Sequence, residues 1–275
     1  MSAASEAKGE ALGLIAGEGP WPVELAELAA GEGLRPVIAA ISARWDARLE
    51  KYPFEKFSIG EIARASAFLR GHGARRVLAS GKIAWPKPWN LRLDSEGWRV
   101  LLRIIPRWGR EDSALRELAA GFRRQGLERT TPAEMWPQLT AGEGRLGTHE
   151  PGPADAADME AAWAAVADMG VRDRGQAAVA RGGAVIAREG HGHTDAMLKS
   201  VPPVTPPSGV LAKRMKPQQD RRLDPPVIGP DTVAGAAHAG LRGLIVEAGG
   251  VLIAERARTI ALADAKGLFI WGRRA

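Results

Sequence analysis

The first forty residues place two apolar runs on either side of a helix pattern, and that order narrows the fold more than any other feature. "ALGLIAGEG" reads as a buried strand entering a glycine turn, "PVELAELAAGEG" as a helix with Pro22 near its start and Gly31 at its end, and "LRPVIAAIS" as the next strand. Together they make a βαβ unit with a Gly-rich turn after its first strand. The alternation continues. "IGEIARASAFLRGHG" is an amphipathic helix, "ARRVLASGKIAWP" a strand with its exit loop, and "EDSALRELAAGFRRQG" a helix with acidic residues at its start and a basic last turn. Strands alternating with helices predict a mostly parallel sheet.

Between Pro137 and Asp155 the composition shifts to "PQLTAGEGRLGTHEPGPAD", rich in Gly, Pro and polar residues, which reads as a domain linker. The expected organisation is a disordered tail over 1–10, an N-terminal α/β domain over 11–136, a linker over 137–155 and a C-terminal α/β domain over 156–275. The second half opens with the helix "ADMEAAWAAVADMG". "QAAVARGGAVIARE" reads as a hairpin around Arg-Gly-Gly, "GVLAKRMKP" and "PPVIG" as strand ends, and "TVAGAAHAG" as a helix capped by Asp231. "LRGLIVEAGGVLIAER" looks like a second hairpin around Gly249-Gly250, and "TIALADAKGLFIWG" closes with a helix and a strand. The fold class is therefore α/β with two domains: an N-terminal Rossmann-like parallel-sheet domain and a C-terminal mixed α/β domain.

Bulk properties set limits on function. Lys and Arg number 38 against 32 Asp and Glu, a net +6, which favours anionic partners such as phosphates or an acidic membrane surface. Basic residues are scattered and match no nucleic-acid motif, so no nucleic-acid partner is expected. With no cysteine, disulfides, thiolate metal sites and Cys nucleophiles are excluded. The opening "MSAASEAKGE" lacks the apolar core of a signal peptide, and no run nears the ~18 to 20 apolar residues of a spanning helix. The expected location is cytoplasmic, with contact at a membrane surface compatible with the basic charge. Nine Trp stand beside one Tyr and five Phe. They read either as core packing or as amphipathic rings that meet lipid or acyl chains.

Three stretches have the composition of a site. In "GLIAGEGPWP" the glycines of a post-strand turn can offer backbone N–H groups to a phosphate beside a helix start, although Pro20 and Pro22 remove two donors. A tight structural turn reads equally well. In "REGHGHTDAMLKS", His191, His193 and Asp195 alternate, and on an extended strand they would share a face suited to a divalent metal. The same residues also fit a plain helix start capped by Thr194 or Asp195. In "VLAKRMKPQQDRRLDPPVIG", Lys213, Lys216 and Arg222 can neutralise a phosphate, while Asp220 and Asp224 can hold Mg²⁺ or activate a water. Phosphoryl transfer needs that combination; a solvated charged loop has it too.

Taken together, "LGLIAGEGPWPVELA", "GQAAV", "HTDAML", "VLAKRMKPQQDRRLDPPVIG" and "AGLRGLIVEAGGVLIAER…ADAKGLFIWG" resemble the LpxI-type UDP-2,3-diacylglucosamine pyrophosphatases, in that family's order and over nearly the whole chain. The resemblance implies a Mg²⁺-dependent enzyme of lipid A biosynthesis with two α/β domains. It would hydrolyse the pyrophosphate of UDP-2,3-diacylglucosamine to UMP and 2,3-diacylglucosamine 1-phosphate (lipid X). It makes Asp224 the essential aspartate, with Asp195 and Asp220 as metal partners. Gly17, Gly19, Thr194, Lys213, Lys216, Gln219 and Arg222 become substrate contacts, and a homodimer is the family-based expectation. Three positions depart from the family pattern. Gly192-His193-Thr194-Asp195 stands for E-G-T-D, Arg110-Glu111-Asp112 for G-D-D, and Trp85-Pro86 for R-P. The alternatives are a His191/His193/Asp195 transition-metal hydrolase acting on another phosphorylated substrate, and a non-catalytic UDP-lipid-binding protein.

Overall fold

The computed structural model describes residues 9–42, 44–82, 91–105, 111–172, 174–190, 193–217 and 225–275, with backbone alone for 111–115. The chain divides into two compact units between Pro137 and Gln138.

The first unit is built on a five-stranded sheet in the order β3-β2-β1-β4-β5. Its strands are β1 (Ala11–Ala16), β2 (Arg35–Ala40), β3 (Phe54–Lys56), β4 (Ala74–Ser80) and β5 (Glu128–Arg129), and every pairing is parallel. All six residues of β1 are buried because it has a strand on each edge and core on each face, which is why it reads as an unbroken apolar run. The helices are α1 (Trp21–Gly31), α2 (Ile62–Gly71), α3 (Ser95–Ile104), α4 (Glu111–Arg124) and the short α5 (Pro132–Met135). The core joins Ile15, Val37, Ile62, Leu69, Val77, Val100 and Leu127. After β3 the chain crosses back to place β4 on the far side of β1, so the strand order reverses between β1 and β4, the position where open α/β sheets bind ligands. Gly9 and Glu10, expected in the tail, are tied in. The Gly9 N–H donates to Gly33 O, and Glu10 pairs with Arg76 at 2.9 Å.

The second unit carries a six-stranded mixed sheet in the order β6-β13-β11-β9-β7-β8. These strands are β6 (Gly144–Arg145), β7 (Ala177–Arg181), β8 (Ala184–Arg188), β9 (Val210–Lys213), β11 (Gly243–Glu247) and β13 (Phe269–Arg273). A separate parallel pair joins β10 (Val227–Ile228) to β12 (Leu252–Ile253). Its helices are α6 (Ala156–Val171), α7 (His193–Ser200), α8 (Pro230–His238) and α9 (Arg256–Ala265). The stretch read as a linker is built into this unit. β6 pairs antiparallel with β13, and the Ala141 N–H donates to Val251 O.

Two local readings are corrected. The run around Gly249-Gly250 is not a hairpin. Both edges of β11 are already taken, in parallel, by β9 and β13, so the chain must leave the sheet, and residues 252–253 pair with β10 instead. Asp231 is not the cap of α8: the helix starts at Pro230, its cap position is Gly229, and Asp231 lies within the first turn.

Candidate functional site

Strand alternation aims the side chains at the end of β9. Leu211 packs with the α7–α8 core, whereas Val210 and Ala212 pack with the α6 core. Lys213 therefore follows Leu211 toward α7, and Arg214 follows Ala212 toward α6. Lys213 is only 6% exposed, and its ammonium needs partners to be tolerated there. Its Nζ donates to Thr194 Oγ1 and to Val227 O, both at 2.9 Å.

Thr194 passes the contact on. It is buried in the first turn of α7, and its hydroxyl donates to Glu189 Oε1 at 2.6 Å. Glu189, buried just past β8, uses its other oxygen to accept the Gln176 N–H at 2.7 Å. The result is a directional chain: ammonium to hydroxyl, hydroxyl to carboxylate, and carboxylate anchored by backbone. One hydroxyl accepts from Lys213 and donates to Glu189, so its rotor is fixed. Glu189→Gln is expected to destabilise the protein by about 1 to 3 kcal/mol, because the new amide hydrogens must face either the Gln176 N–H or the Thr194 hydroxyl. Chemical denaturation of the variant against wild type reads this directly.

The opposite face of the β9 end holds a second charged group. Glu247, which closes the buried strand β11, accepts the Met215 N–H at 3.1 Å and lies 3.6 Å from Arg214 Nε. The Arg214 guanidinium sits 4.7 Å from the centroid of Trp163, and Arg273 lies 5.2 Å from the same ring. Among the described residues, Arg214 Nε and Gln176 Oε1 are buried with no hydrogen-bond partner. Consecutive residues 213 and 214 thus put a cation on each face of the sheet at the carboxyl ends of parallel strands β9 and β11, the edge where such sheets recognise ligands.

Residues 11–139 match the LpxI N-terminal domain, and residues 142–271 match the LpxI C-terminal domain. The chain belongs to the LpxI family. It is 37% identical, over 95% of its own length and 96% of the other, to the UDP-2,3-diacylglucosamine pyrophosphatase LpxI of Caulobacter vibrioides. The boundary between the two LpxI domains falls at the division between the two compact units.

Within this LpxI chain the structure brings Thr194 and Lys213 into contact. Asp195 stands beside Thr194 in the first turn of α7, half-buried, and Lys216 is half-buried three residues past β9. Gln219, Asp220, Arg222 and Asp224 lie outside the described residues, as do His191, Gly192, Trp85, Pro86 and Arg110. The shared-face argument for His191, His193 and Asp195 needed an extended backbone, but His193 to Asp195 form the start of a helix. His193 is left-handed, with φ 60°, at the position where the family pattern has glycine. For the same reason Thr194 and Asp195 are not the cap; they lie inside the helix.

Gly17 and Gly19 lie in the first unit, on the loop that follows β1. The Gly17 N–H donates to Ser80 O, and the Glu18 and Lys82 backbones exchange two bonds at 2.8 and 2.9 Å. Those amides hold the loop to the exit of β4. A Cβ on Gly17 would lie 2.5 Å from Lys82 O and 2.9 Å from Gly81 C, both backbone atoms that cannot swing aside. Gly17→Ala is expected to cost roughly 2 to 4 kcal/mol in the first unit, visible as a lowered melting temperature. Gly19, with φ 99°, has open space around its Cβ position.

Sequence reasoning missed Glu189, Glu247, Arg214 and Gln176. Glu247 had a signal, a lone acid ending the buried run "GLIVE". Among the described residues no three His, Cys, Asp or Glu side chains are grouped to hold a metal ion. The acidic groups near Lys213 and Arg214, namely Glu189, Asp195 and Glu247, offer oxygen alone. Oxygen is the donor a hard cation prefers, but Glu189 and Glu247 lie on opposite faces of the sheet and do not form one set.

Proposed function

We propose that this chain hydrolyses the pyrophosphate bond of UDP-2,3-diacylglucosamine, releasing UMP and 2,3-diacylglucosamine 1-phosphate, as a Mg²⁺-dependent enzyme of lipid A biosynthesis. The observation that carries the reading is the buried Lys213, held by Thr194 and Val227 O at the carboxyl end of β9, with Thr194 in turn bonded to Glu189, in a chain whose LpxI relative is named for that reaction. Pyrophosphate hydrolysis builds negative charge on the departing phosphate, and a preorganised ammonium in a water-poor site offsets it without reorganising. Lys213 supplies that charge, with Lys216 and Arg222 beside it in the sequence. Thr194 and Glu189 fix where the ammonium points. Asp224 orients a water and accepts its proton as it attacks phosphorus. Asp224, with Asp195 or Asp220, would hold Mg²⁺, which when bound neutralises the pyrophosphate oxygens. Gln219 and Gly19 are assigned to substrate contact, while the Gly17 N–H is already donated to Ser80 O.

We propose a cytoplasmic location, peripheral to the inner membrane, which the diacylated substrate supports. Among the described residues no helix is long and apolar enough to cross a membrane. The deciding experiment is release of UMP from UDP-2,3-diacylglucosamine by purified protein, first with Mg²⁺ and then with EDTA. Release that EDTA stops supports the proposal. A folded protein that binds the nucleotide-lipid without cleaving it is a binding module. Activity that survives Mg²⁺ depletion but is lost together with a transition metal in His191→Ala and His193→Ala variants marks a different hydrolase.

A further inference from the structure

We propose that the outward face of α3 is the surface by which this protein docks on an anionic lipid membrane. The helix buries Glu96, Gly97, Val100 and Ile104 against the first unit. Its roll is fixed by backbone contact: a Cβ on Gly97 would lie 1.9 Å from Gly60 O. That orientation turns Trp98, Leu102 and Ile105 outward, with 55%, 64% and 52% of each exposed. Their spacing of four and then three residues makes one continuous stripe. Leaving three large apolar side chains in water is unfavourable, and a contiguous patch of this kind marks an interaction site.

The charge beside the stripe selects the partner. Arg99 and Arg103 run next to it, with 57% and 53% of their side chains exposed. Arg99 shares the fully buried Glu96 with Arg124, and Arg103 lies 3.8 Å from Glu117, so acids position these guanidinium groups without cancelling them all. In the sequence, residues 82–110 hold seven Lys and Arg against two acids, a net +5 out of +6 for the chain, and four of its nine Trp. A Trp/Leu/Ile stripe bordered by Arg is the composition of a helix lying in the plane of a lipid interface. Anionic headgroups add attraction for each nearby Arg. A second copy paired about a two-fold axis would bring Arg99 and Arg103 against their own counterparts, which disfavours that occupant.

The inference draws on the proposed reaction, because a diacylated substrate resides in a lipid surface. The test is co-sedimentation of wild type and a W98S/L102S/I105S variant with vesicles of phosphatidylethanolamine and phosphatidylglycerol. UMP release is assayed in parallel from detergent-dispersed and from vesicle-borne substrate. All three side chains are exposed, so the variant is expected to keep its melting temperature. Its vesicle affinity should fall about tenfold or more. Release from vesicle-borne substrate should fall with it, while release from detergent-dispersed substrate is unchanged. Unchanged vesicle binding by the variant, or no binding by wild type, overturns the proposal. So does a variant that only converts a dimer to a monomer, which would assign the face to a second copy. If vesicle binding depends on α3 but no UMP appears from either substrate form, the docking surface stands and the pyrophosphatase reading falls.

Discussion

Lys213→Met is expected to lower the rate of UMP release by about 100- to 1000-fold, the loss typical of removing one preorganised charge from a developing oxyanion. Methionine keeps the length and apolar stem, so the α7–α8 core stays filled. What disappears is a donor. Thr194 Oγ1 loses the ammonium but keeps its bond to Glu189, and Val227 O loses a partner it held at 2.9 Å. One part-buried carbonyl left short costs about 1 kcal/mol of stability. Activity should therefore collapse in a protein that is still folded at 25 °C by circular dichroism. A variant with wild-type turnover would show that Lys213 is only a strut between β9, α7 and β10.

Asp224→Ala is expected to abolish measurable turnover, a loss on the order of 10²- to 10⁴-fold for a general base alone and more where the same carboxylate serves a metal. The check is UMP release together with a thermal melt. Retained melting with lost activity fits the assigned role. Lost folding would make Asp224 structural, and full activity in a folded variant would refute the role outright. Paired with Lys213→Met, this result separates the group that activates water from the group that steadies phosphate.

How far the sequence leads depends on whether an element carries its own signal. β1, α1 and β2 were readable because each is buried along its length or on one face, so apolar pattern and glycine punctuation agree. β3 and β5, three and two residues long, carry too few positions for any period to appear. α3 hides for another reason. Its apolar arc runs from the buried Val100 and Ile104 round to the exposed Trp98, Leu102 and Ile105, so the pattern does not say which side faces the core. At Gly249-Gly250 the local turn signal was real, but strand pairing is decided by which edges are free, and β11 had none. The site divides in the same way. Thr194 and Lys213 stood out within recognisable stretches of sequence. Glu189 stood beside them unremarked, because its role exists only where β7, β8 and α7 converge.

The position of β13 sets a schedule. It is the last strand in the sequence, yet it lies inside the sheet between β6 and β11, and β6 comes from the start of the same unit. Until β13 is synthesised, β11 has a bare edge and β6 has no partner, so the second sheet cannot close before that strand emerges. Every strand of the first sheet, by contrast, is complete before residue 138, and that unit can fold while the second is still being made. For a time, therefore, a finished first unit is joined to a second whose unpaired strands are exposed. In that interval aggregation and chaperone capture compete with folding, and substitutions in β13 should lower the yield of folded protein more than substitutions of similar burial in β1.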